Sequence, residues 1–333
     1  MHLLRRLFLL ALALLLGIFV YLFVAYSVAL DRDFRHSSAV EQLPDFNGED
    51  GLVLLAARGH HFRARVAGYQ ANPDGPVVML LHGFPVTSAM WLPVVEPLVA
   101  AGYRVLAPDQ RGYSPGARPA TVEAYALREL IADVLAMADA AGINRFHLVG
   151  HDWGAIVGWH VATDAPDRVI SWSALSIPHP SAFANAIETN SEQRRRSRYV
   201  RFFALPLLPE VLLARDDYRR LKALGLPQWP EQADEYVSTF SEPGAATAAM
   251  NWYRALLPGF PQSMRTENRL AVPTLFIWGK HDPILDEGVM ETQRPFVEGI
   301  DYKTLELDAG HRLLLNHSEP VAAALIAHLG DNT

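Results

Sequence analysis

The sequence predicts an α/β protein, a mostly parallel eight-stranded sheet covered by helices, with a helical insertion late in the chain and one apolar helix ahead of the sheet. Three observations carry this. Short apolar runs alternate with helical periodicities through most of the chain, the alternation that builds a parallel sheet. The alternation stops over residues 177–264 and then resumes. Finally, 25 of the first 30 residues are apolar, against 50% for the whole chain of 333.

The apolar start reads as a membrane segment. Residues 7–30 carry no charge and include 16 Leu, Ile, Val or Phe. At about 1.5 Å per residue they cross a hydrocarbon core of about 30 Å with some tilt. On the insertion scale they contribute about −5 to −10 kcal/mol, enough to enter a bilayer unaided. Residues 1–30 are therefore expected to be a single-pass anchor contacting lipid through 7–30, with Tyr21 and Tyr26 toward the far interface. The competing reading is a cleaved signal peptide, since Arg5 and Arg6 precede the run and Ser27-Val28-Ala29 resembles a cleavage site, but the run is long for one. Arg5 and Arg6 before it balance Arg32 and Arg35 after it, so charge asymmetry assigns no side of the membrane.

Beyond a polar stretch, residues 52–58 and 62–69 read as a first strand pair. Residues 77–81 are continuously apolar, the mark of a strand buried on both faces. A helix is expected over 88–101, a strand over 103–107, and a helix over 122–141 closed by Gly142. A strand at 146–149, a helix at 155–163 and a strand at 169–175 follow. After the gap come a strand at 274–278, a helix at 287–297, a strand at 302–307 and a closing helix at 319–329. The core therefore spans residues 45–176 and 265–330. The strand-free segment 177–264 is a helical cap over the C-terminal edge of the sheet, where such sheets bind their ligands.

Charge and sulfur content narrow the chemistry. The chain has 29 Lys plus Arg against 36 Asp plus Glu, a net charge of −7, and no cysteine. A mildly acidic chain of ordinary apolar content is neither disordered nor built to hold nucleic acid. Absent cysteine excludes a disulfide scaffold, Cys-ligated metal and a thiol nucleophile.

Four loops at four strand ends carry reactive groups. Gly150-His151-Asp152-Trp153-Gly154 stands between a strand and a helix and matches a nucleophile elbow, whose glycines allow close approach of the flanking backbone. His82-Gly83-Phe84-Pro85 can bring the Phe84 N–H toward the same point as that of Trp153, two donors that make an oxyanion hole. Gly279-Lys280-His281-Asp282-Pro283 offers Asp282, and Ala309-Gly310-His311 offers His311. The order Asp152, Asp282, His311 is nucleophile, acid, base, the chain order of α/β-hydrolases. An ionised carboxylate at the elbow suits displacement at an sp³ carbon, giving an alkyl ester, where serine would suit acyl transfer.

With these motifs the chain resembles the epoxide hydrolase branch of the α/β-hydrolase superfamily over about residues 45–330. The resemblance rests on His82-Gly83-Phe84-Pro85 with Trp91, Arg111-Gly112-Tyr113-Ser114, Gly150-His151-Asp152-Trp153-Gly154, Asn251-Trp252-Tyr253-Arg254 and Gly310-His311. It implies a small apolar epoxide as substrate, no cofactor and no metal. It also implies cap tyrosines that protonate the departing oxygen. Tyr253 matches one of them. The other position registers on Phe202, with Tyr199 one helical turn earlier as the possible second donor. Arg312 stands where an aromatic residue commonly follows the base.

Two alternatives stay open. Haloalkane dehalogenases share the aspartate nucleophile and Trp153 but need a second halide donor, a role open to Trp229 or Trp252. A non-catalytic binding protein would be expected to show a damaged triad. The run of five Arg within residues 194–201 reads as a solvated cap face or a surface for anionic headgroups. His60, His61, His147 and His151 lack metal-ligand context. Oligomeric state is not legible.

Overall fold

The computed structural model describes residues 2–31 and 43–332. Eight strands form one sheet: β1 (Gly51–Ala57), β2 (His60–Ala67), β3 (Val77–Leu81), β4 (Arg104–Pro108), β5 (Phe146–His151), β6 (Val169–Leu175), β7 (Thr274–Gly279) and β8 (Tyr302–Leu307). Their order across the sheet is β1-β2-β4-β3-β5-β6-β7-β8. Only β2 runs antiparallel to its neighbours. The expected strands at 77–81, 169–175 and 302–307 are met at both ends. Every residue of β3, β5 and β7 is buried, which is why the run of β3 is continuously apolar and those of β5 and β7 nearly so rather than alternating.

The helices depart from expectation where proline or a cap intervenes. The first splits into a 3-10 turn, Ser88–Trp91, and a helix, Leu92–Ala100. Thr87 caps the turn by accepting from the Ala89 N–H, and Pro93, lacking an N–H, suits the first turn of the helix that follows. The segment over 122–141 is interrupted by extended backbone at Ala126 (φ −57°, ψ 145°) before Leu127–Ala140. The closing helix, Leu313–Gly330, begins six residues earlier than expected and breaks at His317 (φ −135°), ahead of Pro320.

Between β6 and β7 the chain holds the helices Pro180–Thr189, Ser191–Arg196, Tyr199–Phe203, Leu208–Lys222, Pro230–Ser241 and Ala245–Leu256, and no strand. Charged groups fasten this insertion to the core. Arg65 reaches Glu235 at 2.6 Å, Arg118 pairs with Glu242, and Arg63 donates to the Thr239 hydroxyl at 3.1 Å. The Trp252 indole N–H donates to the Arg111 carbonyl at 2.9 Å. Arg111 is itself held by Asp133 at 2.6 and 2.7 Å, a buried fork.

The N-terminal helix runs His2–Asp31, and its apolar stretch Arg5–Phe23 is long enough to cross a membrane. Its large side chains from Leu7 to Phe23 are exposed. Arg32 and Arg35, invoked for orientation, lie outside the described residues, as do the side chains of Tyr26, Ser27, Val28 and Ala29.

Candidate active site

The C-terminal ends of β3, β5, β7 and β8 bring together the four loops read from the sequence. Asp152 follows β5 and opens the helix Trp153–Asp164 with φ 53° and ψ −119°, backbone that a non-glycine residue rarely adopts. The flanking glycines leave no alternative. A Cβ at Gly150 would meet the Gly154 carbonyl oxygen at 2.3 Å, and one at Gly154 would meet that of Leu81 at 2.1 Å. The helix starts at Trp153, two residues ahead of the expected start, so the Trp153 N–H belongs to the unpaired first turn.

Asp152 is buried, and its two oxygens have different neighbours. Oδ1 accepts from the Phe84 N–H at 2.8 Å, and Oδ2 lies 3.3 Å from His311 Nε2. On its other side His311 Nδ1 donates to Asp282 Oδ2 at 2.8 Å. Asp282 Oδ1 accepts from the Ile284 N–H at 2.7 Å, which fixes the carboxylate plane. The three residues thus stand in series, carboxylate, imidazole, carboxylate.

This arrangement decides the charges. Burial opposes ionisation of Asp152, but the hydrogen bond and charge of His311 outweigh it and hold the carboxyl below its usual range. Burial likewise opposes protonation of His311, but Asp282 and then Asp152 dominate and push it up to about 10. The resting site is an aspartate against an imidazolium. His82, wholly buried, is pushed the other way by burial and is neutral. Its Nε2 accepts from the Gln110 N–H at 3.0 Å, and Nδ1 is 3.0 Å from the Gly83 carbonyl.

Three further residues hold His311 and Asp282 in place, and sequence reasoning had no role for them. His151 Nε2 donates to the His311 carbonyl at 2.9 Å, and the Ser176 hydroxyl donates to the same oxygen at 2.7 Å. Arg196 donates to the Asp282 carbonyl at 2.9 Å and to that of Leu285. The arginine run is therefore not simply a solvated face. Arg195 and Arg196 pair with Glu192, Arg194 binds the Ile187 carbonyl, and Arg196 ties the insertion to the acid loop.

Asp152 and His311 open on a cavity of about 400 Å³. Phe84, Phe202, Phe203, Leu212 and Leu213 supply its apolar wall, and Tyr199, Tyr253, Arg196, Arg220 and Arg312 its polar groups. Trp252 and Tyr253 divide their tasks: Trp252 packs edge-on against Tyr113 and Trp153, while Tyr253 lines the cavity. The Tyr253 ring lies 5.4 Å from Phe84, 5.1 Å from Trp153 and 6.3 Å from Tyr199. Burial, reinforced by the Asp152 charge, raises both phenols above their ordinary range, so both keep their protons at neutral pH. Both Tyr199 and Phe202 reach the cavity. Trp252 spends its N–H on Arg111, and neither it nor Trp229 lines the cavity, which leaves a halide without the second indole donor considered above.

Comparison with known proteins agrees with this fold. Residues 76–318 match the α/β-hydrolase fold family. The chain is 36% identical to an AB hydrolase superfamily protein of Bacillus subtilis over 74% of its own length and 87% of that protein. It is 33% identical to epoxide hydrolase A of Mycobacterium tuberculosis, over 83% of this chain and 96% of the other. Among solved structures, an epoxide hydrolase from hot-environment metagenomes matches with a TM-score of 0.72 and 29% identity, covering 84% of this chain and 99% of that one. The chain belongs to the epoxide hydrolase branch of the α/β-hydrolase superfamily.

Proposed function

We propose that the protein hydrolyses an epoxide to a vicinal diol through an ester on Asp152. The observation that carries this is the carboxylate at the elbow, ionised, holding the Phe84 N–H on one oxygen and facing the imidazolium of His311 with the other. An Asp152 oxygen attacks one epoxide carbon and the C–O bond to the ring oxygen breaks. That oxygen leaves as an alkoxide still attached to the substrate, and the Tyr253 hydroxyl protonates it, with Tyr199 as the second donor. The apolar wall suits a small apolar epoxide and excludes the water that would compete with the carboxylate.

Esterification changes the base. With Asp152 neutralised, His311 keeps only Asp282 as a charged partner, and one of the two influences that held its proton is gone. The proton passes to the tyrosinate left by ring opening, so the imidazole becomes neutral when a base is needed. It then takes a proton from water, and the hydroxide attacks the carboxyl carbon of Asp152. The Phe84 and Trp153 N–H groups and the helix N-terminus stabilise the oxyanion that forms there. Its collapse releases the diol and restores the resting ion pair. Residues 45–176 and 265–330 form the hydrolase core in this reading, 177–264 the cap that supplies the tyrosines, and the N-terminal helix a retained single-pass anchor.

Incubation with a panel of epoxides and haloalkanes tests the assignment. The purified protein should form diols, Asp152→Ala should form none, and neither should release halide. Halide release by the wild type would transfer the site to dehalogenation, and no turnover of any panel member would favour a binding protein.

A further inference from the structure

Outside the N-terminal helix, few large apolar side chains among the described residues are exposed, and those few lie together. They are Leu205, Leu208, Val211 and Leu257, at 43, 36, 50 and 38% exposure. The first three fall within seven residues of the insertion. The Leu205 carbonyl accepts from Arg254 Nη2 at 2.8 Å, and Leu257 follows Arg254 by less than one helical turn, which joins the fourth to them.

The surroundings indicate what covers this patch. Tyr21 of the apolar helix donates its hydroxyl to the Pro206 carbonyl at 2.5 Å, in the middle of the patch. The patch is thus continuous with the helix surface. The stretch Arg5–Phe23, 19 residues, is about 28 Å long at about 1.5 Å per residue, so Tyr21 falls at the far boundary of a hydrocarbon core, the level where tyrosine is favoured. Arg198 and Arg201 stand exposed one to two turns ahead of Leu205, and among the described residues neither has a carboxylate partner. Cations beside an apolar patch match an interface of anionic headgroups over acyl chains. The same helix that turns Leu208 and Val211 outward turns Pro209, Leu212 and Leu213 into the cavity of Asp152.

We propose that this face of the insertion, Leu205 through Val211 with Leu257, rests in the headgroup boundary of the bilayer, so that one wall of the substrate cavity is a lipid-contacting surface. The proposal rests on the N-terminal helix being a retained anchor and on nothing in the reaction. It distinguishes a protein laid down on the membrane from one held above it.

The chain has no cysteine, so a single introduced one can be labelled uniquely. Val211→Cys, Leu12→Cys in the helix and Asp74→Cys at the opposite edge of the sheet each receive an environment-sensitive fluorophore. The full chain is then reconstituted in vesicles of phosphatidylcholine and phosphatidylglycerol. Lipids spin-labelled about 5–10 Å below the headgroups should quench the Val211 label severalfold more than the Asp74 label, and aqueous iodide should quench it less. A Val211 label quenched no more by lipid than the Asp74 label overturns the proposal. In that event the Leu12 label separates causes: if lipid quenches it, the anchor stands and only the docking fails, and otherwise both fail. Shielding of Val211 from iodide that follows protein concentration, without lipid quenching, would place a second copy on the patch and also overturn it.

Discussion

Gly83→Ala should disable the enzyme while leaving it folded. A Cβ at position 83 would lie 2.4 Å from the Asp152 Cβ, 2.6 Å from Oδ1 and 2.9 Å from Cγ. Carbon atoms rest at about 3.5–4.0 Å, so the two must separate by about 1.1 Å, the difference between 3.5 and 2.4. Either Asp152 moves or the loop carrying the Phe84 N–H does, and both break the 2.8 Å hydrogen bond that orients the carboxylate. A misplacement of about 1 Å costs on the order of 10²-fold in rate. Overpacking costs about 1–3 kcal/mol of stability, a fall in melting temperature of about 2–4 °C per kcal/mol, which an enzyme of this size survives. Diol formation measured beside thermal unfolding separates the two effects. Gly310→Ala is the matched control: it adjoins His311, yet its Cβ would find only the His281 carbonyl oxygen, at 3.9 Å, and it should keep activity within about threefold. Full activity in Gly83→Ala, or equal loss in Gly310→Ala, would refute the reasoning.

Three other expectations follow from the same contacts. Tyr253→Phe should slow epoxide opening by about 10²–10⁴-fold with an unchanged far-ultraviolet spectrum, and Tyr199→Phe should cost less, as single-turnover rates will show. His311 is raised in the folded state, so its contribution to stability is fully present below its unfolded value of about 6.5 and is lost as pH rises through about 10. The urea-unfolding difference between wild type and His311→Gln should therefore shrink across that window, and a constant difference would contradict a charged His311. Arg196→Ala removes two charge-assisted hydrogen bonds to the acid loop and should lower stability by about 1.5–3 kcal/mol. It should also reduce turnover more than substrate binding.

The parts of the fold legible in the sequence are those set by local pattern. A continuous apolar run located β3 to the residue because burial on both faces requires one. The elbow could be read because glycine alone has no Cβ to strike the neighbouring backbone. Less legible were events between distant segments. His151 and Ser176 grip the carbonyl of His311, 160 and 135 residues away, and only the placement of β6 between β5 and β7 brings them there. That Tyr253 and not Trp252 faces the cavity rested on the motif alone, because adjacent helical residues point about 100° apart and nothing local says which faces inward. Arg196 was hidden in a run whose composition suggests solvent, and its two carbonyl partners lie on a loop about 90 residues further along the chain.

The central claim is the ester on Asp152, and the most direct measurement is mass spectrometry of His311→Ala after incubation with an epoxide. Without His311 the strongest influences favouring the ionised Asp152 are gone and burial is opposed chiefly by the Phe84 N–H, so the incubation belongs at alkaline pH, which favours the carboxylate. The peptide containing Asp152 should gain the mass of the epoxide and hold it, because the base that releases the diol is missing. Unmodified peptide alongside continued diol formation, or an adduct on another residue, would contradict the account.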